Sequence, residues 1–164
     1  MYSKAAQFRQ GQELHAAGFV INAILPIVST MSGTFQSSTH ESDVRMRTDF
    51  KIVATFGNPT DNKADIYMKN IGKQPISLVE MQNAVVFCGT TVGHLLIYDD
   101  TWTVNDDSWT AEILPDTANV GYWDTGETLH VTAWTPIDPG ETVYFQFVLP
   151  NGIWRSQEFN AELS

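Results

Sequence analysis

The spacing of hydrophobic and polar positions changes at about residue 48, and the change divides the chain into two kinds of element. Ala16 to Met31 (AAGFVINAILPIVSTM) contains no charged residue. Through and around it Leu14, Ala17, Ile21, Ile24, Val28, Met31 and Phe35 recur at intervals of three and four, the a/d seam of a coiled coil over three heptads. Phe19, Val20, Leu25 and Ile27 lie off the seam, so the predicted helix is apolar on most sides and needs lipid or other helices to cover it. Pro26 falls opposite the seam, where it removes a backbone donor and crowds the carbonyl of Asn22; a kink is expected there. A polar stretch, SSTHESDVRMRT, follows. Ser38 and Glu41 fit a capping box, and Glu41 with Arg45 and Asp43 with Arg47 are i,i+4 pairs in the favourable order. Self-association through the seam is the expectation this pattern carries.

From Asp49 the apolar residues move to every second position. Phe50, Ile52, Ala54 and Phe56 are expected on one face of a first strand, with Lys51, Val53 and Thr55 on the other. GNPTDN reads as a turn and KADIYMKNIG as a second strand. Further strands are predicted at ISL, 83–88, 94–98, 109–114, 127–134 and 141–149, the last with Val143, Phe145, Phe147 and Leu149 on one inward face. Asn151-Gly152 predicts a type I′ hairpin into IWRSQEF. About eight or nine strands at this spacing, with no second helix, predict a mainly β molecule: a helical stem over 1–48 and an immunoglobulin-like β-sandwich head over 49–164. The Cys…Trp…Cys hallmark of antibody domains is missing. An apolar helix leading into an all-β head is the plan of a surface or filament subunit, and enzymes are rarely built that way.

Composition sharpens this picture. With 43% hydrophobic and 12% aromatic residues the chain is globular. Cys88 is the sole cysteine, which excludes disulfide staples and is expected to be a small buried apolar residue. The net charge of −10 is uneven: residues 1–98 carry eight bases and seven acids, whereas residues 99–164 carry twelve acids and one base, Arg155. No cluster of Lys and Arg exists to release counterions from phosphate, so nucleic acid is not an expected partner. An ordinary secretory signal peptide is not visible. The charge-free run of 16 residues, about 24 Å as helix, is shorter than the roughly 30 Å hydrocarbon core. Ahead of it MYSKAAQFRQGQELH is polar, and it is expected to stand in place of a longer apolar segment.

Reactive groupings are weak. His15, His40, His94 and His130 are scattered, and the position four after His40 is Val44, so no zinc-binding pair forms. GTTVGHL lacks dinucleotide spacing, and no GxSxG elbow occurs. Asp99-Asp100 and Asp106-Asp107 flank the loop DDTWTVNDDSW; without the EF-hand glycine and closing Glu they read as a solvated turn. No catalytic residue, metal site or cofactor is predicted. All five tryptophans lie after residue 100. Trp134 is expected in the core, whereas Trp102, Trp109 and Trp123 fall in or beside loops and are expected to form a head contact surface, with sugar stacking as the alternative. The one sequon-like triplet, Asn58-Pro59-Thr60, is blocked by its proline, so there is no N-glycosylation acceptor.

LPIVSTMSGTFQSSTHESDVRMRTDFKIV, DIYMKNIGKQPI, YWDTGETLHV, PGETVYFQFVLPNG and RSQEF together resemble the archaellum accessory protein G (FlaG) family, which is related to protein F (FlaF) and the archaellins. The resemblance covers roughly residues 23–160. It implies an N-terminal helix in the archaeal cytoplasmic membrane and a sandwich in the pseudoperiplasm beneath the S-layer. It also implies assembly with protein F, which contacts the S-layer, into a static ring or short filament acting as a stator around the rotating archaellum. The chain departs from the family at its start, where the apolar helix is short and a polar leader precedes it. Two alternatives stand beside this reading: an archaellin, which is the filament subunit itself, and a carbohydrate-binding β-sandwich module resting on the loop tryptophans.

Overall fold

A computed structural model describes residues 40–91, 93–101 and 107–163. The expected seam, Leu14, Ala17, Ile21, Ile24, Val28, Met31 and Phe35, and the loop residue Trp102 lie outside these residues. Internal contacts divide the chain into two units, Met1–Asp43 and Val44–Ser164. Residues 40–47 are helical.

Ten strands follow among the described residues: β1 (Phe50–Asn58), β2 (Lys63–Asn70), β3 (Ile76–Ser77), β4 (Val85–Gly89), β5 (His94–Tyr98), β6 (Ser108–Leu114), β7 (Tyr122–Trp123), β8 (Thr128–Trp134), β9 (Thr142–Val148) and β10 (Trp154–Asn160). Hydrogen bonds run continuously in the order β1-β2-β8-β6-β5-β4-β9-β10, and β3 pairs with β7 alone. The ribbon folds into two layers at β5. That strand pairs antiparallel with β4, Leu96 opposite Val86, and then parallel with β6, Tyr98 beside Trp109. One layer is therefore β1-β2-β8-β6 and the other β5-β4-β9-β10. The two ends of the ribbon meet, since Glu162 N donates to Gly57 O at 2.9 Å just beyond β10. This is the expected immunoglobulin-like sandwich.

Period-2 alternation builds the core. Ala64, Ile66 and Met68 of β2 lie opposite Ala133, Val131 and Leu129 of β8, and all six are buried. Val143, Phe145, Phe147 and Leu149 face them from the second layer, as the alternation predicts. Phe147 is the hub of the aromatic packing, with ring centroids 5.8 Å from Phe50 and 5.7 Å from Trp109. Each such side chain contributes about 1.5–3 kcal/mol through burial.

Three expectations are corrected. The first strand does not alternate uniformly. Ile52 lies opposite Met68 and Ala54 opposite Tyr67, leaving Val53 unpaired in a β-bulge. The bulge reverses the phase, so Thr55 and Gly57 turn inward and Phe56 turns outward, 53% exposed. The hairpin after β9 is not type I′, which needs a positive φ at both central residues. Only Gly152 has one, +87°; Gly152 N donates to Leu149 O at 2.8 Å and Leu149 N to Ile153 O at 2.8 Å, giving a three-residue loop with a glycine bulge. A second helical segment also exists, the single turn Leu78–Met81, which tucks Met81 into the core. One turn is too short to print a helical period on the sequence.

Candidate assembly surfaces

Three features of the head could carry contacts with other proteins, and the first lies where the chain enters it. The KNIG segment at the end of β2 grips the backbone of Arg47 to Asp49. Ile71 N and Gly72 N donate to Asp49 O at 3.0 and 2.9 Å, and Lys73 N and Gln74 N donate to Arg47 O at 2.8 and 3.1 Å. Gly72 allows this approach, because a Cβ there would stand 2.4 Å from Asp49 N and 2.5 Å from Arg47 O. Asn70, fully buried, holds the loop in shape: its Nδ2 donates to Gln74 O and Trp123 O, and its Oδ1 accepts from Gly72 N. Thr125 of the adjacent turn donates to Gly72 O at 2.6 Å. From β10 Arg155 pairs with Asp49, and its guanidinium lies 5.5 Å from the centre of the Phe50 ring. The one base of the acidic half is therefore spent on the entry of the chain into the head. Beside it Arg45, Gly152, Ile153, Trp154, Arg155 and Ser156 line an open groove of about 540 Å³.

The second feature is on the outer face of the first layer. Register places Tyr67, His130 and Glu112 side by side on β2, β8 and β6. The His130 ring stacks on Tyr67 at 4.5 Å and 4°, and Phe56 meets Tyr67 edge-on at 6.1 Å. As an imidazolium His130 donates from Nε2 to Asp65 Oδ1 at 2.8 Å and from Nδ1 to Glu112 Oε1 at 3.0 Å. The hydrogen bond to Asp65 raises the His130 pKa above its ordinary value; partial burial opposes the rise and Glu112 adds to it. The hydrogen bond from His130 likewise lowers Asp65, against burial and with help from Lys63 at 3.5 Å. Both ring nitrogens face carboxylates, and the Thr132 hydroxyl, 3.4 Å from Nε2, donates to the same Asp65 Oδ1, so the cluster stitches three strands together. Among the described residues, no three His, Cys, Asp or Glu side chains are placed to hold a metal ion.

The third feature is the outer face of the second layer. Register sets Ile97, Val85, Val148 and Trp154 in one row across β5, β4, β9 and β10, with Leu95 and Phe87 in the next. Ile97 is 73% exposed, Leu95 59%, Trp154 52% and Val85 41%. The sequence reading had not singled out any of these residues. The signal was there in HLLIY and AVVFC, whose apolar residues occupy both parities, as in strands covered on two sides.

Two of the three tryptophans expected at a contact surface lie in the core. Trp109 is buried in β6 opposite the small Ala133, which leaves room for an indole, and Trp123 is fully buried 5.8 Å from Phe50. Trp123 Nε1 finds its acceptor in Glu127 O at 2.8 Å. With these two indoles in the core, sugar stacking loses two of the three residues it rested on, and Trp102 lies outside the described residues. Trp134 is buried as expected, but it points to the side of β8 opposite Leu129, Val131 and Ala133. Cys88 is a buried free thiol whose pKa burial pushes up to about 12. Asp99 accepts from Thr101 N and Oγ1, the geometry of a turn.

Comparison with known proteins agrees with this architecture. A search of curated proteins found no match. Among solved structures, the archaellum periplasmic stator protein FlaG from Sulfolobus acidocaldarius is similar with a TM-score of 0.53 and 23% identity, over 68% of this chain and 99% of that one. The archaellum periplasmic stator protein complex FlaF and FlaG from the same organism is similar with a TM-score of 0.53 and 21% identity, over 67% of this chain and 87% of the other. The archaeal flagellin FlaB1 from Methanocaldococcus jannaschii gives a TM-score of 0.55 and 17% identity, over 71% of this chain and 91% of that one. A sequence model of the archaeal-type flagellin family matches residues 14–159, from the start of the apolar seam into β10. Spanning most of the chain, that match means the protein belongs to the archaeal-type flagellin family.

Proposed function

We propose that this protein is a non-enzymatic structural component of the archaellum, a β-sandwich head outside the cytoplasmic membrane on a membrane-type N-terminal helix. In this reading it acts with a protein F-type sibling as a static ring or short filament under the S-layer. The observation that carries the proposal is the clasp around Arg47 to Asp49: four backbone hydrogen bonds, Gly72 and the Arg155–Asp49 pair fasten the incoming chain to the head. A subunit that bears load needs such a fastening, whereas an enzyme needs an open reactive site. The similarity of the fold to FlaG and to the FlaF and FlaG complex supports the stator role and the sibling partner. Among the described residues no helix is long and apolar enough to cross a membrane. In this reading the anchor is the apolar segment around residues 14–35, on the strength of its sequence.

The test is a stem variant. Ile21→Asp with Val28→Asp should abolish multimers and motility while circular dichroism shows the head still folded; multimers of unchanged size would refute the seam. One observation favours a second reading, that of an archaellin: the fold similarity to flagellin FlaB1 has a TM-score of 0.55. Purified filaments separate the two, because a filament subunit is present in them at high copy number and a stator protein stays with the envelope.

A further inference from the structure

We infer that the outer face of the second layer is a homotypic contact, which pairs with the same face of a second copy of this chain. The inference rests on the assembly reading above and names the surface by which heads would meet.

The two outer faces of the sandwich differ in chemistry. Outward positions of the first layer include Lys51, Lys63, Asp65, Lys69, Glu112 and His130, the ordinary dress of a sheet in water. By register, the outward positions of β4, β5, β9 and β10 include one charged side chain, Glu158, opposite Tyr144. Between these strands Val85, Phe87, Leu95, Ile97, Val148 and Trp154 form an apolar patch, bordered by the uncharged polar Gln146 and Ser156 in the row of Phe87. An antiparallel sheet with one face in water alternates apolar and polar positions; over this patch the sheet is apolar on both sides.

Charge selects the occupant. The chain carries a net −10, so two copies repel wherever their acidic side chains meet. A face nearly free of charge is where that repulsion is least, and a foreign partner of either sign would find little to pair with on it. A flat apolar patch is also its own complement under a two-fold rotation, the condition for an isologous pair. Four strands about 4.8 Å apart make a patch roughly 20 Å wide. Its two rows, about 7 Å apart along the strands, make it roughly 14 Å deep, so about 300 Å² in all, below the ~800 Å² per partner of a standard interface. Free heads therefore pair weakly, and stems that hold heads near millimolar effective concentration make the pairing strong.

The experiment uses the full chain with the seam disabled by Ile21→Asp and Val28→Asp. Sedimentation is followed from about 5 to about 500 µM, with and without Val85→Lys and Ile97→Lys. The expected result is a reversible dimer with the seam disabled and a monomer once the lysines are added. At concentrations too low for the dimer the melting temperature should change little on adding the lysines, because Ile97 is largely and Val85 partly in water. A monomer throughout before the lysines are added, or a dimer that survives them, would overturn the pairing; the first would leave the face to a different protein. Failure of the stem reading shows separately, as multimers of wild-type size in the seam variant. In that event the lysine pair must halve their mass, or the pairing fails too.

Discussion

At Gly72 a single methyl group separates a closed clasp from an open one. The Cβ of an alanine would stand within 2.5 Å of the Arg47 and Asp49 backbone, and backbone has no rotamer with which to yield. Gly72→Ala is expected to cost about 1–3 kcal/mol in urea unfolding, the range of an overpacked site. Asn70→Ala should cost about as much, because it takes the side-chain donor from the Gln74 and Trp123 carbonyls and leaves Gly72 N with Asp49 O alone. His130 supplies a pH dependence whose sign is fixed by its partners. Its folded pKa lies above the 6.5 of a free imidazole, so its stabilisation is complete below about pH 6.5 and is lost as pH rises through the folded value. Asp65 runs the other way: its contribution is present above 3.8 and is lost as pH falls through its lowered folded value. The urea midpoint should therefore decline as pH rises above about 6.5, and His130→Gln should flatten that decline; an unchanged slope in the variant would place the titrating group elsewhere. None of these roles was legible from residue type alone. Asn70 and Gly72 stood in the KNIG segment that carried the family resemblance, yet only the carbonyls of Arg47 and Asp49, more than 20 positions earlier in the chain, give them work.

Elements were legible to the extent that their signal was periodic. β2, β8 and β9 alternate cleanly, and their inward residues are those the alternation picks out. β1 was misread after Ile52 because alternation counts residues whereas register counts hydrogen bonds, and a bulge adds one residue without adding a pair. β7 was missed because two residues, Tyr122 and Trp123, are too few to show a period. At the hairpin, Asn-Gly suggested the commonest two-residue loop, but Pro150 ahead of it suits the first central position of an ordinary turn, which moves the left-handed residue on to Gly152. The observed loop predicts that Gly152→Ala costs about 1 kcal/mol, since alanine resists φ near +87°. Asn151 Oδ1 accepts from Ile153 N at 3.1 Å, so Asn151→Gly should also lower the melting temperature, whereas a type I′ turn would accept glycine there without loss.

The whole molecule joins an acidic skin to an uncharged apolar face, and salt should reveal how the two trade off. Raising ionic strength from about 10 mM to 150 mM shortens the Debye length from roughly 30 to 8 Å. Repulsion between copies, each carrying the chain's −10 and the two aspartates the variant adds, then fades, so association of the seam variant should tighten several-fold in sedimentation. Loosening with salt would mean that opposite charges hold the copies together and that the apolar face does not. The order of residues alone determined the change of period near residue 48, the strand-rich head, the lone thiol and the acidity of the second half. These follow from spacing along the chain and from composition, which folding leaves untouched. Which face each tryptophan took, the partnership of Arg155 with Asp49 across 106 positions, and the meeting of Tyr67, His130 and Glu112 were decided by tertiary structure. Such contacts depend on strand order and register, and one bulged residue is enough to turn every later side chain of a strand to its other side.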